Sequence, residues 1–424
     1  MLANELKELL RSGGLNKYDN LYSDVKAQTE RMLSAIDRFE ARFGEGREIY
    51  LLSVPGRSEI SGNHTDHNKG CVLAGAIDRD IIAVASPNED GIVRFLSEGY
   101  PEDTVELWNI EDPDSFKNYS SSALIAGVAQ GFLNEGYSIG GYDVYTISDV
   151  LKGSGISSSA AYEVMIGNLF NHLYNDGIVD NKDIAKISQY AENVYFGKPC
   201  GLMDQMACAV GGFVFIDFED NKNPIVEPIA FSLSDNGYAL CIVNTGGNHA
   251  DLNEDYASIP REMRAVASEL GGEVLRPFSE EEIIKAIPSL REKLGDRALL
   301  RAIHFVRENA RVNNAKNALK EKNIDGFLAA VSESARSSFE YLQNVYTNVN
   351  IREQGLSLAL ALTDGYLAGK SAAFRVHGGG FAGTIQVFLP KSELNGYVKF
   401  MDGILGEGSA MALNIRPVGA CRLF

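Results

Sequence analysis

The sequence predicts an α+β protein in two lobes. Helical and strand patterns are both abundant, they mix without the strict βαβ alternation of a doubly wound sheet, and 424 residues suffice for roughly two or three domains with ample core.

At the N-terminus, residues 4–10 and 24–43 set apolar side chains (Val25, Met32, Leu33, Ile36, Phe39, Phe43) at helical intervals among charges. This amphipathic region closes near Gly44 and Gly46. Residues 49–54 read as a strand, and 72–77 and 81–85 as two more, parted by a turn at Asp78-Arg79-Asp80. Short strands follow at 92–95 and 142–147. Helices come next over 157–175 and 183–195, with Gly177 and Gly197 as terminators. Strands return at 213–218 and 238–244, residues 279–363 read as a succession of Ala- and Leu-rich helices, and strands at 373–377, 383–389 and 411–417 complete the chain.

Composition bounds the function. With 39 Lys+Arg against 57 Asp+Glu, the net charge of −18 lacks the basic footprint that nucleic acid or an anionic membrane requires. The longest apolar stretches, 206–216 and 71–77, fall short of the roughly 18 residues of a membrane span. Charges in the opening MLANELKELL interrupt any signal-peptide core, so no secretory signal is expected. Five cysteines occur without a C-x-x-C pair or histidines at zinc spacing, as expected for reduced thiols in a cytoplasmic protein.

Four segments look chemical. In VLKGSGISSSAA (150–161) a strand end enters a small-residue loop and then a helix. Unpaired N–H groups and the dipole at such a helix start suit a phosphate, though a plain Ser N-cap after a flexible turn fits equally. The loop is not a dinucleotide fingerprint, because Ser158 stands where the third glycine belongs. The segment GYLAGKS (365–371) imitates a P-loop but is one residue short between its glycines, and it reads as a helix end. The second segment, VPGRSEISGNHTDHNKG (54–70), is a polar loop that could grip a polyol or simply face solvent. In the third, AENVYFGKPCGLMDQM (191–206), Asp204 falls in the first turn of a helix, where the dipole favours a carboxylate; an ordinary acidic first-turn residue is the alternative. The fourth, RVHGGGFAG (375–383), puts three glycines after a strand, for close backbone approach or a sharp turn.

Together and in this order, PGRSEISGNHTDHNKG, GISSSA, CGLMDQ and GGGFAG resemble the galactokinase family of the GHMP kinase superfamily. That family carries PGR-x-N-L-I-G-E-H-T-D-Y-N-x-G, G-L-S-S-S-A, C-G-I-M-D-Q and G-G-G-F-G-G. AENVYFGKP and NTGGNH (244–249), followed by Tyr256, add weaker matches. The resemblance implies a two-lobed GHMP kinase fold with the active site in the cleft, an N-terminal domain over 1–210 and a C-terminal domain over 211–424 carrying the glycine-rich third motif.

It also implies an ATP- and Mg2+-dependent sugar 1-kinase whose partners are a small sugar and ATP. Gly153, Ser154, Gly155, Ile156, Ser157, Ser158, Ser159 and Ala160 would form the phosphate loop, and Ser159 and Glu192 the magnesium ligands. Asp204 would accept or orient the C1 hydroxyl proton, with Arg57 as its cationic partner. Asn63, His64, Asp66, Gly201, Asp204 and Tyr256 would line the sugar pocket. His377 stands where the family has Thr or Ser. Two departures bear on specificity: Asn63 replaces the family's glutamate at the sugar's C6 end, and His67 its tyrosine. Loss of that anion implies an alternative substrate such as galacturonate. A non-catalytic sugar and ATP sensor of the same family is a further alternative, in which the phosphate loop is damaged; here residues 157–161 are uninterrupted.

Overall fold

Asp24 accepts a hydrogen bond from the Ala27 N–H and so starts the long amphipathic helix α2 (Val25–Phe43), which Gly44 ends at φ 94°. A computed structural model describes residues 1–424 except Ser23, Lys117, Asn118, 151–154, Pro199 and 248–251. With α1 (Ala3–Arg11), α2 packs Leu6, Leu10, Met32, Ile36 and Phe39 on one face of the first sheet, against Leu51, Ile82, Val84 and Tyr145.

That sheet has eight strands: β1 (Tyr50–Ser61), β2 (Cys71–Pro87), β3 (Ile92–Ser97), β4 (Asp103–Glu106), β5 (Tyr142–Ser148), β6 (Phe213–Asp217), β7 (Ile225–Ile229) and the C-terminal strand. The main path runs C-terminal strand, β1, β2, β5, β3, β4, with β6 on β2 and β7 on β6. Only β3–β5 pair in parallel among these contacts. Its other face meets α3 (Ser121–Asn134), α4 (Ser158–Tyr174), α5 (Asn181–Tyr190), which continues as a π-helical turn over Ala191–Phe196, and α6 (Met203–Val210). Leu51, Ile82 and Val84 point to α1 and α2, while Leu52, Ile81 and Ala83 point to this inner helical layer. Burial on both faces explains why these strands are continuously apolar.

The second sheet, ordered β11-β8-β10-β9, is antiparallel: β8 (Tyr238–Asn244), β9 (Ala373–His377), β10 (Thr384–Pro390) and β11 (Ala410–Leu413). Around it lie α7 (Asn253–Glu269), α8 (Glu280–Leu294), α9 (Asp296–Lys320), α10 (Ile324–Ser337), α11 (Gly355–Tyr366) and α12 (Lys391–Leu405), before β12 (Cys421–Arg422) returns to pair with β1. Gly365 and Gly369 of the P-loop look-alike sit at the end of α11 and in the turn after it. No helix among the described residues is long and apolar enough to cross a membrane, and all five cysteines are free thiols.

Two expectations are corrected. The turn at Asp78-Arg79-Asp80 is absent: β2 runs unbroken from Cys71 to Pro87. Partners from distant segments neutralise its two acids. Asp78 accepts from the Asn414 N–H (3.0 Å) and side-chain amide (3.1 Å), and the buried Asp80 accepts from Arg31 (2.6 Å), Tyr22 (2.8 Å), Arg416 (3.1 Å) and Ser53. Likewise residues 54–61, expected within a polar loop, belong to β1, whose pairing with β2 shifts register between Pro55 and Arg57 and again between Glu59 and Ser61.

Burial would raise the Asp80 pKa, but Arg31 and Arg416 hold it below its ordinary 3.8. Its stabilisation is therefore full above the unfolded-state pKa near ~4 and is lost as pH falls through the lower folded value. Asp80→Asn should cost about 3 kcal/mol or more in urea unfolding at neutral pH, because the buried Arg416 loses its counterion and Arg31 keeps only Asp149. The gap from wild type should narrow as the solution is acidified.

Candidate active site

Of the residues singled out in the sequence, Arg57, Asn63, His64, Asp66, Ser159, Glu192, Gly201, Asp204 and Tyr256 line one cavity of about 410 Å³ between the two sheets. Arg57 enters it from β1. Its Nε and Nη2 donate to Asp204 Oδ1 (2.7 Å) and Oδ2 (2.8 Å), a two-point fork, while Nη1 donates to the Gly155 carbonyl (2.6 Å). The guanidinium thus joins β1, the phosphate-loop segment and the first turn of α6. Gly56 is required just before it: a Cβ there would lie 2.7 Å from the Ile156 carbonyl oxygen, which accepts the Arg57 N–H at 3.1 Å.

Ser157 is the N-cap of α4 but does not use its hydroxyl to cap. It adopts the left-handed region at φ 59°, an unfavourable conformation for serine, and donates to Asp204 Oδ2 instead. Ser158 and Ser159 open α4, with Ser159 on the cavity, and Ala160 is buried in the core below. Gly153 and Ser154 lie outside the described residues. Burial would raise the Asp204 pKa, but Arg57's charge and hydrogen bonds, with that of Ser157, hold it below 3.8. This carboxylate remains ionised at neutral pH and keeps its acceptor capacity.

Glu192, in the π-helical turn, faces the same cavity as Ser159. Its Oε1 accepts from Lys198 (3.0 Å) and its Oε2 from Gln205 (2.8 Å), whose Nε2 also donates to the buried Glu163 (3.0 Å). A nearly buried carboxylate and a hydroxyl lining one cavity are a donor set that suits a hard cation keeping most of its ligands as water or phosphate oxygen.

On the opposite side, the loop after β1 is held by the second lobe. The Gly62 N–H donates to Glu308 of α9 (3.0 Å), His304 of α9 bonds the Asn63 carbonyl oxygen (2.9 Å), and the Asn63 amide reaches the Gly378 carbonyl (2.8 Å). His64, at φ 57°, bonds the Gly379 carbonyl (2.9 Å), and burial with the neighbouring His67 lowers its pKa to about 4. A Cβ on Gly201 would stand 2.3 Å from Asp66 Oδ2, so only glycine lets that carboxylate pack there. Tyr256 covers Gly379 and donates to the Gly380 carbonyl (2.7 Å). Asn63, His64, Asp66, Gly201 and Tyr256 all line the cavity, as expected; His249 of the weaker NTGGNH match lies outside the described residues.

His377, at the end of β9, is buried under Gly155 and bonds Ser58 (3.1 Å) and Thr384 (2.9 Å). Gln386 also donates to the Ser58 hydroxyl, so His377, Ser58 and Gln386 form one buried chain of hydrogen bonds across the two sheets. Burial and the nearby Arg57 push the His377 pKa down to about 3, so it stays neutral and links the lobes without adding charge.

Sequence reasoning missed Glu59, Lys198 and Gln205. Glu59 could have been found from period-two spacing: two residues beyond Arg57 on a strand, it shares Arg57's face. The family motif also has Asn at the place of Glu59 and Glu at the place of Asn63, so the exchange is reciprocal and the carboxylate has moved, not vanished. Glu59 lines the cavity.

Residues 120–212 match the family described as GHMP kinases N terminal domain, and residues 37–87 the galactokinase galactose-binding signature. A galactokinase of Streptomyces coelicolor is 30% identical over 86% of this chain and 91% of its own length, and one of Glaesserella parasuis 32% identical over the same shares. The crystal structure of Lactococcus lactis galactokinase complexed with galactose superposes with a TM-score of 0.77 at 24% identity, over 92% of this chain and all of the other. A mevalonate kinase structure shares the fold at a TM-score of 0.58 and 12% identity, over 87% of this chain and 99% of its own. With its two mixed lobes, its cleft and relatives of this closeness over nearly full length, the chain belongs to the galactokinase family of the GHMP kinases.

Proposed function

We propose that this chain transfers the γ-phosphoryl group of ATP to the C1 hydroxyl of galactose, giving galactose 1-phosphate and ADP. The observation that carries the reading is the Arg57–Asp204 fork, set between the start of α4 and the polar loop after β1. Asp204 accepts the C1 hydroxyl proton as that oxygen forms its bond to the γ-phosphorus and the bond to ADP breaks, with no covalent enzyme intermediate. Arg57 keeps Asp204 ionised and offers positive charge to the transferring group. Backbone N–H groups from residue 155 onward into the first turn of α4 receive the phosphates. Ser159 and Glu192 would hold Mg2+, which when bound neutralises phosphate charge. Two kinase domains dividing at 210/211 are part of this reading, although β6, β7 and β12, which lie beyond residue 210, belong to the first sheet. The intact fork favours turnover over a sensor, and ADP release on adding galactose to enzyme, ATP and magnesium separates the two.

Asp204→Asn should reduce kcat by about 10²- to 10⁴-fold while ATP still binds, because the variant keeps the shape and loses the proton acceptor. A kcat near wild type would refute the assignment. Arg57→Ala should both slow the reaction and move the acid limb of the pH–kcat/KM profile upward, since the largest influence opposing burial at Asp204 is gone and only those of Ser157 and Lys198 remain; an unmoved limb would exclude that coupling. Ser159→Ala and Glu192→Gln should each raise the magnesium concentration needed for half-maximal rate, and unchanged dependence would remove them from the metal site.

A further inference from the structure

We propose that Glu59, oriented by Asn63, is the carboxylate that reads the sugar hydroxyls remote from C1, and that it selects a neutral hexose over a hexuronate. The inference rests on the galactokinase reading of the same site and reverses the expectation of a hexuronate substrate that Asn63 alone suggests.

Asn63 has no capacity left for a sugar. Its two amide hydrogens go to Glu59 Oε1 (2.8 Å) and the Gly378 carbonyl (2.8 Å), and its Oδ1 accepts from Asn344 (2.6 Å) and Ser338 (3.4 Å). The orientation of the amide is fixed by this network, since a flip would set its oxygen against two acceptors. What Asn63 does is hold Glu59. Glu59 Oε1 also lies 3.7 Å from Arg375 Nη2, a buried nitrogen with no hydrogen-bond partner, so cationic charge backs the carboxylate. Among the described residues Glu59 Oε2 makes no hydrogen bond, which leaves it for a ligand hydroxyl.

The position fits the far end of the sugar. Between the two register shifts of β1, Arg57, Ser58 and Glu59 pair regularly with Ala76, Gly75 and Ala74, so Arg57 and Glu59 point the same way. Two residues of strand separate them by about 7 Å, comparable to the span of a pyranose with its hydroxyls. With C1 at Asp204, the C4 and C6 substituents fall toward Glu59. A hydroxyl there donates to a carboxylate, whereas a C6 carboxylate would meet like charge.

The test compares kcat/KM of wild type and Glu59→Gln for galactose, 4-deoxygalactose, 6-deoxygalactose and galacturonate, with Tm and ATP affinity measured alongside. The expected result is a loss of about tenfold or more on galactose in the variant. That loss should shrink on whichever deoxy sugar lacks the hydroxyl being read, and the preference for galactose over galacturonate should narrow by about tenfold. Equal losses on all four sugars would show a structural defect only and overturn the proposal. Should the variant fail to fold, wild type still decides: less than about threefold lost on both deoxy sugars, or galacturonate used as well as galactose, overturns it. A wild type active on galacturonate alone, or on none of these sugars, would overturn the galactokinase reading itself.

Discussion

The two-point hydrogen bond between Arg57 and Asp204 is the constraint on which the rest of the site depends. It ties a strand of the first sheet to the first turn of α6, and through the third guanidinium nitrogen it fixes the Gly155 carbonyl ahead of α4. Such a fork has one planar geometry, so it sets Asp204 and the backbone ahead of α4 relative to each other. It also bears on protonation: burial raises the Asp204 pKa, and Arg57 is the largest of the influences that bring it below 3.8. The strained Ser157, which gives its hydroxyl to the same carboxylate and not to its helix, is consistent with a site that places function ahead of local comfort.

Around the fork, the second lobe supports β1 from behind. Arg375 of β9 donates to the Ile60 carbonyl and Gln386 of β10 to the Glu59 carbonyl, while Glu308 of α9 accepts from the Gly62 N–H. Most residues lining the cavity are carried on the first lobe and held in register by polar side chains of the second, which also contributes Tyr256, Gly378 and Gly379 to the lining. The same arrangement resolves an apparent conflict of charge. At −18 the chain should repel a polyanionic nucleotide at long range, so attraction must be local. In the proposed reading Arg57 and the half-exposed Lys198, which line the cavity, and the backbone donors opening α4 would supply it.

Much of this was legible in the sequence, and the losses have physical reasons. Strands β9 and β10 and helices α2 and α4 fell where pattern and punctuation put them. Helix α3 did not, because it is apolar almost all round and shows no polar face to mark its period. Strand β2 was split in two because Asp78 and Asp80 look like a turn until their partners, from Tyr22 to Arg416, are known. The motif order brought Arg57, Asp66, Ser159, Glu192 and Asp204 to one site without any coordinates. Glu59 was overlooked because its segment was taken for a loop, where period-two reasoning does not apply. Gln205 was overlooked because both carboxylates it bridges are distant in sequence.

The central claim is that Arg57 and Asp204 act as one unit, and a double-variant cycle in single-turnover galactose phosphorylation tests it most directly. If they do, the Arg57→Ala/Asp204→Asn double variant will be no slower than the slower of the two single variants, because removing either partner already destroys the unit. Losses that multiply, each variant contributing its full factor, would mean that the two residues act independently and would contradict the account.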